Sequence, residues 1–527
     1  MVRQVSLSVF NGLLALWLAG LPNLVFYKQI AHLASFNSVG AFLFAGITSL
    51  ILSSFYYFVL QLFSWRLTAK VLAIFLIVLT GLTSYFTNQL GIKIDVAQVQ
   101  NLMQTDLHET LDLLSFPFVL HILGYVVLPC IVVFLICIQP QSWQKTVQHK
   151  LIGIVCAFAL MGVGLFSFYG QYAPIFRENR ELKAQITPLN IISGSSSYLK
   201  SFVHQVNQPL VQYGTDAVQT HPQDKKVFVL VIGETGRAES WSLDGYNRPT
   251  NPNLQKLDII NFSQASSCGT QTAVSVPCMF SGMPRKAYDE NLASHREGLL
   301  DIAQRAGYEV TWIDNNAGCK GTCNRIKTYI TPCKNGECDD GVLLEALNDT
   351  LQKLDVKNLQ KNQLIVLHQM GSHGPAYYKR YPQNFEKFKP VCATNNIQDC
   401  SHQDLINTYD NTILYTDDVL AQTINQLKAL NVATGLFYVS DHGESTGEHG
   451  LYLHGTPYFI APSQQTHVPM LMWFSPQWKD ETKIKSCLQS QRATSVSQDN
   501  LFPTVLGLLQ IKTQVLNPSL NLLEQCK

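Results

Sequence analysis

The chain has 527 residues, too many for one ordinary domain, and charged residues make up only 14% of it. A formal net charge of +1 offers no basic surface for nucleic acid, so no nucleic-acid partner is expected. The deficit of charge is concentrated in the first third of the chain.

Five long apolar stretches occupy that third, at 9–25, 38–62, 69–85, 118–138 and 151–169. Each is near the ~20 residues that a helix needs to cross a bilayer. Five in series predict a membrane domain rather than the buried helices of a soluble core. The first stretch lacks a small-residue cleavage site and four more follow it, so it is not read as a removable signal peptide. Short loops set the orientation. With the N-terminus inside, the inner segments carry Arg3, Arg66, Lys70, Lys145 and Lys150 and no acid. The outer loops carry Lys28 and Lys93, but also Asp95, Asp106, Glu109 and Asp112. An odd number of spans then places everything after Gly170 outside the cytoplasm. One outer loop, 91–115, is polar yet periodic. A continuous helix there would put Asn101 and Glu109 within about 80° of each other.

The segment 171–221 is polar, with Pro174, Pro188 and the run Ser193-Gly194-Ser195-Ser196-Ser197. It is expected to bridge a membrane domain (1–170) to a second domain (222–527), with one helix lying on the membrane surface. From Lys225 the pattern changes. Apolar runs at 227–232, 309–313, 364–368, 436–440 and 468–473 alternate with helical stretches such as 340–354 and 409–430. That alternation predicts an α/β sandwich with a mainly parallel sheet.

Of 13 cysteines, Cys130, Cys137 and Cys156 fall in the apolar stretches. The others are Cys268, Cys278, Cys319, Cys323, Cys333, Cys338, Cys392, Cys400, Cys487 and Cys526. An even number in mostly close pairs predicts disulfides in an oxidising compartment. Pairing in sequence order is the expectation, although spacing alone does not fix connectivity. A four-thiolate zinc site from Cys319, Cys323, Cys333 and Cys338 is the alternative, with poor spacing for a zinc ribbon.

Two of the expected strands carry chemistry at their ends. The run 227–232 leads into Gly233-Glu234, and the run 436–440 leads into Asp441-His442-Gly443-Glu444. The carboxyl end of a strand is where an α/β sheet builds its site. Two carboxylates and an imidazole form a ligand set for a divalent metal with an open position, and zinc suits it. In the segment 267–278 a helix starting at Thr272 would present backbone N–H groups to an anion. A hydroxyl there, beside a zinc, becomes acidic enough to act as a nucleophile. A cystine from Cys268 to Cys278 would hold that loop rigid. Thr270, two residues earlier, is the rival nucleophile. His467 and the Glu444 side chain are given no role.

These motifs together resemble the phosphoethanolamine transferases of Gram-negative inner membranes, the lipid A modifying and mobile colistin-resistance enzymes of the alkaline phosphatase superfamily. The resemblance covers essentially the whole chain. It is carried by Gly233-Glu234-Thr235-Gly236-Arg237, Cys268-Gly269-Thr270-Gln271-Thr272, Ser275-Val276-Pro277-Cys278, Asp314-Asn315-Asn316, Gly371-Ser372-His373-Gly374-Pro375, Ser440-Asp441-His442-Gly443-Glu444-Ser445 and Gly450-Leu451-Tyr452-Leu453-His454-Gly455. It implies an α/β/α alkaline-phosphatase- or sulfatase-like catalytic domain behind five transmembrane helices, periplasmic and anchored in the inner membrane. By resemblance Thr272 matches the nucleophile and joins Glu234, Asp441 and His442 as zinc ligands. Asn316, Lys320, His373 and His454 match residues that bind phosphate, head group or a second metal. Asn101 and Glu109 match loop residues that handle the lipid donor. The implied reaction is ping-pong transfer of phosphoethanolamine from phosphatidylethanolamine to lipid A, conferring resistance to polymyxin or colistin, by a monomer with one zinc; a second zinc during turnover is left open.

Several alternatives stay open on sequence alone. The acceptor could be a core sugar of lipopolysaccharide rather than lipid A. A phosphoglycerol transferase has a similar layout, but the dense cysteines fit it poorly. A sulfatase would need a Cys-x-Pro-x-Arg segment, which the chain lacks. Water in place of the acceptor would make a phosphatase or phosphodiesterase. A non-enzymatic membrane scaffold would be expected to have lost Glu234, Thr272, Asp441 or His442.

Overall fold

Leu7–Leu33, Val39–Phe63, Ala69–Gln89, Phe116–Leu135 and Trp143–Ser167 are helices long and apolar enough to cross a membrane. This is seen in a computed structural model that describes residues 4–34, 38–105, 114–206, 208–331, 339–395 and 397–526. Their bounds follow the apolar stretches with two exceptions, the first of which is the opening span, expected to end at 25 and continuing to Leu33. The fifth begins at Trp143, well before the apolar run, because Ser142 caps it by accepting from the Lys145 N–H. Lys150 is thereby carried into the helix, where its ammonium donates to the Gln61 carbonyl and sits 4.1 Å from the Trp65 ring centroid.

The residues divide into two compact units, one of Met1–Val99 and Leu114–Leu199, the other of Gln100–Leu113 and Lys200–Lys527. The first therefore extends into the segment expected to bridge. Thr187 explains part of this: it is fully buried, and its carbonyl accepts from Asn23 Nδ2 (3.0 Å) and Tyr56 Oη (2.6 Å). An 18-residue helix, Leu189–Val206, follows. The outer-loop helix Val96–Gln104 ends before Thr105, so no continuous helix joins Asn101 to position 109.

The second unit is built on eight strands: β1 (Lys226–Gly233), β2 (Ile260–Ser266), β3 (Glu309–Asp314), β4 (Lys327–Ile330), β5 (Gln363–His368), β6 (Ala433–Ser440), β7 (His467–Phe474) and β8 (Val496–Ser497). They pair in the order β8-β2-β7-β6-β1-β5-β3-β4. The sheet is mixed: β7 runs antiparallel to both neighbours, and the other pairs are parallel. All five expected strands are present. β2, β4 and β8 were not expected, since β4 is exposed throughout and β8 has two residues.

Strand β1 is buried along its whole length, as a central strand covered on both faces must be. Alternation sends Phe228, Leu230 and Ile232 into one core with Phe437, Val439, Met279, Phe280 and Leu300. Val227, Val229 and Val231 turn to the opposite face and are equally buried. Helices Thr272–Ser281, Leu299–Arg305 and Leu501–Leu508 pack together, as do Gly341–Gln352 and His402–Lys428. The register pairs Gly233 with Ser440, Ile232 with His368, and Asp314 with His368. Four parallel strands thus end on one line. Replacing Phe437 by Ala in the middle of β6 is expected to cost about 3–5 kcal/mol. Urea unfolding of the purified protein, followed by tryptophan fluorescence, measures that loss.

Candidate active site and metal centre

Glu234 follows β1, and Asp441 and His442 follow β6. Because Gly233 and Ser440 are in register, both carboxylates emerge side by side. Each of the three residues offers one ligand atom, and those atoms lie within 4.8 Å of one another. His442 Nε2 is 3.4 Å from Glu234 Oε1 and 3.3 Å from Asp441 Oδ2. Thr272 brings its hydroxyl to the same point. Its Oγ1 donates to Glu234 Oε2 (2.9 Å) and lies 3.3 Å from His442 Nε2. Thr272 is the first residue of the helix Thr272–Ser281, so the helix N-terminus adds positive potential there. Thr270 faces elsewhere, its hydroxyl donating to the Thr456 carbonyl (2.7 Å).

The donor set fits a divalent cation. His442 Nδ1 is 2.9 Å from the Gly443 carbonyl, a contact that takes the proton on Nδ1 and leaves the Nε2 lone pair facing two carboxylates. Asp441 Oδ2 is buried and has no hydrogen-bond partner among the described residues. Such a cluster of acceptors is repulsive without a positive charge among them. The electrostatics of the three groups point the same way. Burial alone would lower the His442 imidazole, but Asp441 and Glu234 carry it up to about 10. Burial, then the Glu234 charge, pushes Asp441 up to about 6. Burial would raise Glu234 too, yet its hydrogen bond with His442 holds it well below the usual carboxylate range.

Other expected residues surround this centre unevenly. The His454 ring centroid is 4.4 Å from that of His442, and the His373 centroid is 5.6 Å from that of His454. Desolvation holds the His373 imidazole below its ordinary range. Asn316 touches the centre directly, its Nδ2 donating to Glu234 Oε2 (2.8 Å). Lys320 donates to the Ala317 carbonyl (2.8 Å), at a position with φ of 50°. Asn101 lies in the helix Val96–Gln104, and Glu109 lies outside the described residues. Disulfides join Cys268 to Cys278, Cys319 to Cys323, Cys392 to Cys400 and Cys487 to Cys526, in sequence order. The first closes the loop that presents Thr272. The Cys319–Cys323 bond removes two thiolates from the alternative zinc site. Cys333 and Cys338 lie outside the described residues.

Several working residues have no signal in the sequence beyond their neighbours. Glu444 is fully buried and takes hydrogen bonds from Tyr377 Oη (2.5 Å) and His454 Nδ1 (2.9 Å). It therefore fixes the His454 ring. Gln498 accepts from the Cys268 N–H and donates to the Ser440 and Asp441 carbonyls, each at 2.7 Å. It ties the loop that presents Thr272 to the end of β6. Arg237 donates to Thr446 Oγ1 (2.9 Å) and pairs with Glu448 (2.8 Å), holding the loop that leads to His454. Thr235, between these groups, is kept at φ 59° by Tyr409, whose hydroxyl donates to its carbonyl (2.6 Å). Gly371 also has a positive φ of 52°, and a Cβ there would collide with the Glu234 carbonyl oxygen.

Fold and site together define a sulfatase-like α/β domain with a candidate metal centre, in a chain that also carries a set of apolar helices. Residues 226–511 match the sulfatase family model, and residues 52–202 match the model described as phosphoethanolamine transferase EptA/EptB. Phosphoethanolamine transferase EptA of Salmonella typhimurium is 41% identical, covering 98% of this chain and 96% of that protein. Phosphatidylethanolamine transferase Mcr-1 of Escherichia coli is 36% identical, covering 97% of this chain and 96% of that protein. The solved lipooligosaccharide phosphoethanolamine transferase A of Neisseria meningitidis superposes with a TM-score of 0.94 at 37% identity, covering 100% of this chain and 99% of that one. The chain belongs to the EptA/Mcr phosphoethanolamine transferase family, a family of enzymes.

Two outcomes follow from this geometry. A metal ion displaces the proton that His442 holds up to about pH 10, so binding at neutral pH releases a proton. Affinity then rises roughly tenfold per pH unit per proton released. Below about pH 6 Asp441 adds a second proton and the dependence steepens. Calorimetry in buffers of different ionisation heat counts these protons; none released at pH 7 would contradict the site. Replacing Gln498 by Leu strands three backbone groups and is expected to cost about 2–5 kcal/mol, read by thermal unfolding.

Proposed function

We propose that this enzyme moves phosphoethanolamine from phosphatidylethanolamine to a phosphate of lipid A through a covalent adduct on Thr272. The observation that carries the reading is the Thr272 hydroxyl at a helix N-terminus, within hydrogen-bond reach of Glu234 and His442. Glu234, Asp441 and His442, with Thr272, would hold a zinc ion, the cation that an all-oxygen-and-imidazole set with an open position suits. When bound, zinc would supply positive charge that acidifies the hydroxyl and offsets the charge of an incoming phosphodiester.

Thr272 Oγ1 attacks phosphorus in line. A P–O bond to Thr272 forms as the P–O bond to diacylglycerol breaks. The proton of the attacking hydroxyl is released to solvent, its loss favoured by the positive charge that a bound cation would supply, while Glu234 accepts the hydrogen bond that aims the hydroxyl. His454 protonates the departing oxygen from Nε2, since Glu444 occupies Nδ1. His373, held toward its neutral form, donates a hydrogen bond to a phosphoryl oxygen without adding charge. A lipid A phosphate oxygen then attacks the adduct, the bond to Thr272 breaks, and the hydroxyl is restored. Two half-reactions at one site give ping-pong kinetics. Asn101, Glu109 and Lys320 are assigned to lipid donor and head-group contacts by family likeness.

The positive bias of the inner loops supports a cytoplasmic N-terminus and a periplasmic catalytic unit in a Gram-negative inner membrane. The acceptor class rests on the family resemblance and on the lipooligosaccharide in the Neisseria protein's name. An added primary amine masks anionic charge and weakens binding of cationic peptides such as colistin. Mass spectrometry of lipid A from cells expressing the enzyme should show the gain of one phosphoethanolamine. Thr272→Ala should abolish that gain while Thr270→Ala keeps most of it. Transfer by the Thr272→Ala enzyme would remove the covalent step from this residue.

A further inference from the structure

A buried acid–imidazole pair that the reaction does not use lies one residue behind the metal centre. Asp314 ends β3 and His368 ends β5, paired in register and 1% and 0% exposed. Asp314 Oδ2 accepts from Trp312 Nε1 (2.6 Å) and lies 3.3 Å from His368 Nδ1. Asp314 Oδ1 accepts from the backbone N–H of Asn316 (2.7 Å). The Asn316 side chain is then fully committed. Its Nδ2 donates one proton to Glu234 Oε2 and one to the Gln369 carbonyl, both at 2.8 Å, and its Oδ1 accepts from the Ala317 N–H (2.6 Å).

We propose that Asp314, paired with His368, is a positioning residue for Glu234 and acts through Asn316. The carboxylate closes the turn that aims the Asn316 amide, and the amide sets the orientation of the Glu234 carboxylate. Glu234 Oε2 receives Asn316 and Thr272 on one oxygen, while Thr235 Oγ1 donates to Oε1 (2.6 Å). Rotation of this carboxylate would move the acceptor of the nucleophile's hydrogen bond. A buried ion pair is a poor source of net stability, because desolvation offsets most of the attraction. Its value here is directional. Both groups sit at strand ends fixed by the sheet, so they transmit the register of β3 and β5 to a side chain on β1. The same chain of bonds makes Asn316 an orienting residue for a metal ligand rather than a free ligand for the substrate phosphate.

The inference rests on reading Glu234 as a metal ligand, and the test separates the two. Full-length protein in detergent is prepared as Asp314→Asn and as Glu234→Gln. Zinc affinity is measured by competition with a chromophoric chelator, and the ligand field by the visible bands of the cobalt(II)-substituted protein. Asp314→Asn is expected to lose about 10–100-fold in zinc affinity, the usual cost of removing an outer-shell partner. Its cobalt bands should shift in position or intensity, and kcat should fall more than KM rises. A merely structural role would lower the melting temperature and leave the cobalt spectrum of the folded protein unchanged. Parental affinity and spectrum in Asp314→Asn, with affinity lost in Glu234→Gln, would overturn the positioning role alone. Parental affinity in Glu234→Gln would overturn the ligand reading itself. If Asp314→Asn does not fold, Trp312→Phe, which removes one donor to the same carboxylate, is read by the same two measurements: a weaker, shifted site supports the role and a parental one overturns it.

Discussion

Two parallel strands in register, β1 and β6, force two carboxylates and an imidazole into one dry space, and the rest of the site is a response to that crowding. The pairing of Gly233 with Ser440 leaves Glu234 and Asp441 no room to diverge. Like charges so close and so buried cannot both ionise without a counter-charge. A proton on His442 or a divalent cation would supply that charge. The Thr272 hydroxyl lies within hydrogen-bond reach of Glu234 and His442, so a cation held there would act on it as well. The helix Thr272–Ser281 begins at the same point, so its backbone dipole would act on the same oxygen.

Holding that arrangement requires more residues than perform chemistry. Gln498 spans from the Cys268 loop to the carbonyls of Ser440 and Asp441, and the Cys268–Cys278 bond closes the loop on its other side. Arg237, three residues beyond Glu234, secures the segment that carries His454 by way of Thr446 and Glu448. Glu444 and Tyr377 then orient the His454 ring. Each connector is buried and each joins segments far apart in the chain. Precision at the centre comes from these cross-links, which gather around the carboxyl ends of the central strands rather than belonging to any one loop.

Much of this is legible from residues alone, for a physical reason. An apolar run that ends in a charged residue announces a buried strand and the place where it leaves the core, so Glu234 and Asp441-His442 stand out. Thr272 is singled out over Thr270 by the family motif, since the segment alone reads equally well as a helix cap in a disulfide loop. The membrane spans are legible because apolar length is their only requirement. What is hidden is whatever depends on pairing between distant segments. The antiparallel run of β7 between two partners has no signature in its own eight residues. Glu444 sits in full view in the motif, yet its job depends on Tyr377 and His454 arriving from elsewhere. Gln498 resembles any polar residue before a helix until its three partners are known. Lys320 stands out only through the family motif, and in the fold its ammonium donates to the Ala317 carbonyl. Asp314 is visible in the Asp314-Asn315-Asn316 motif, but its pairing with His368 emerges only once β3 and β5 are known to end together.

The most direct test of the account is X-ray absorption at the zinc edge of the metal-loaded, full-length enzyme. The account predicts a shell of nitrogen and oxygen near 2.0–2.2 Å, with outer-shell scattering from a single imidazole. That shell should be altered by Asp441→Asn and by Thr272→Ala, and unchanged by Thr270→Ala. Sulfur scattering near 2.3 Å, or a shell indifferent to both Asp441→Asn and Thr272→Ala, would place the metal elsewhere and contradict it.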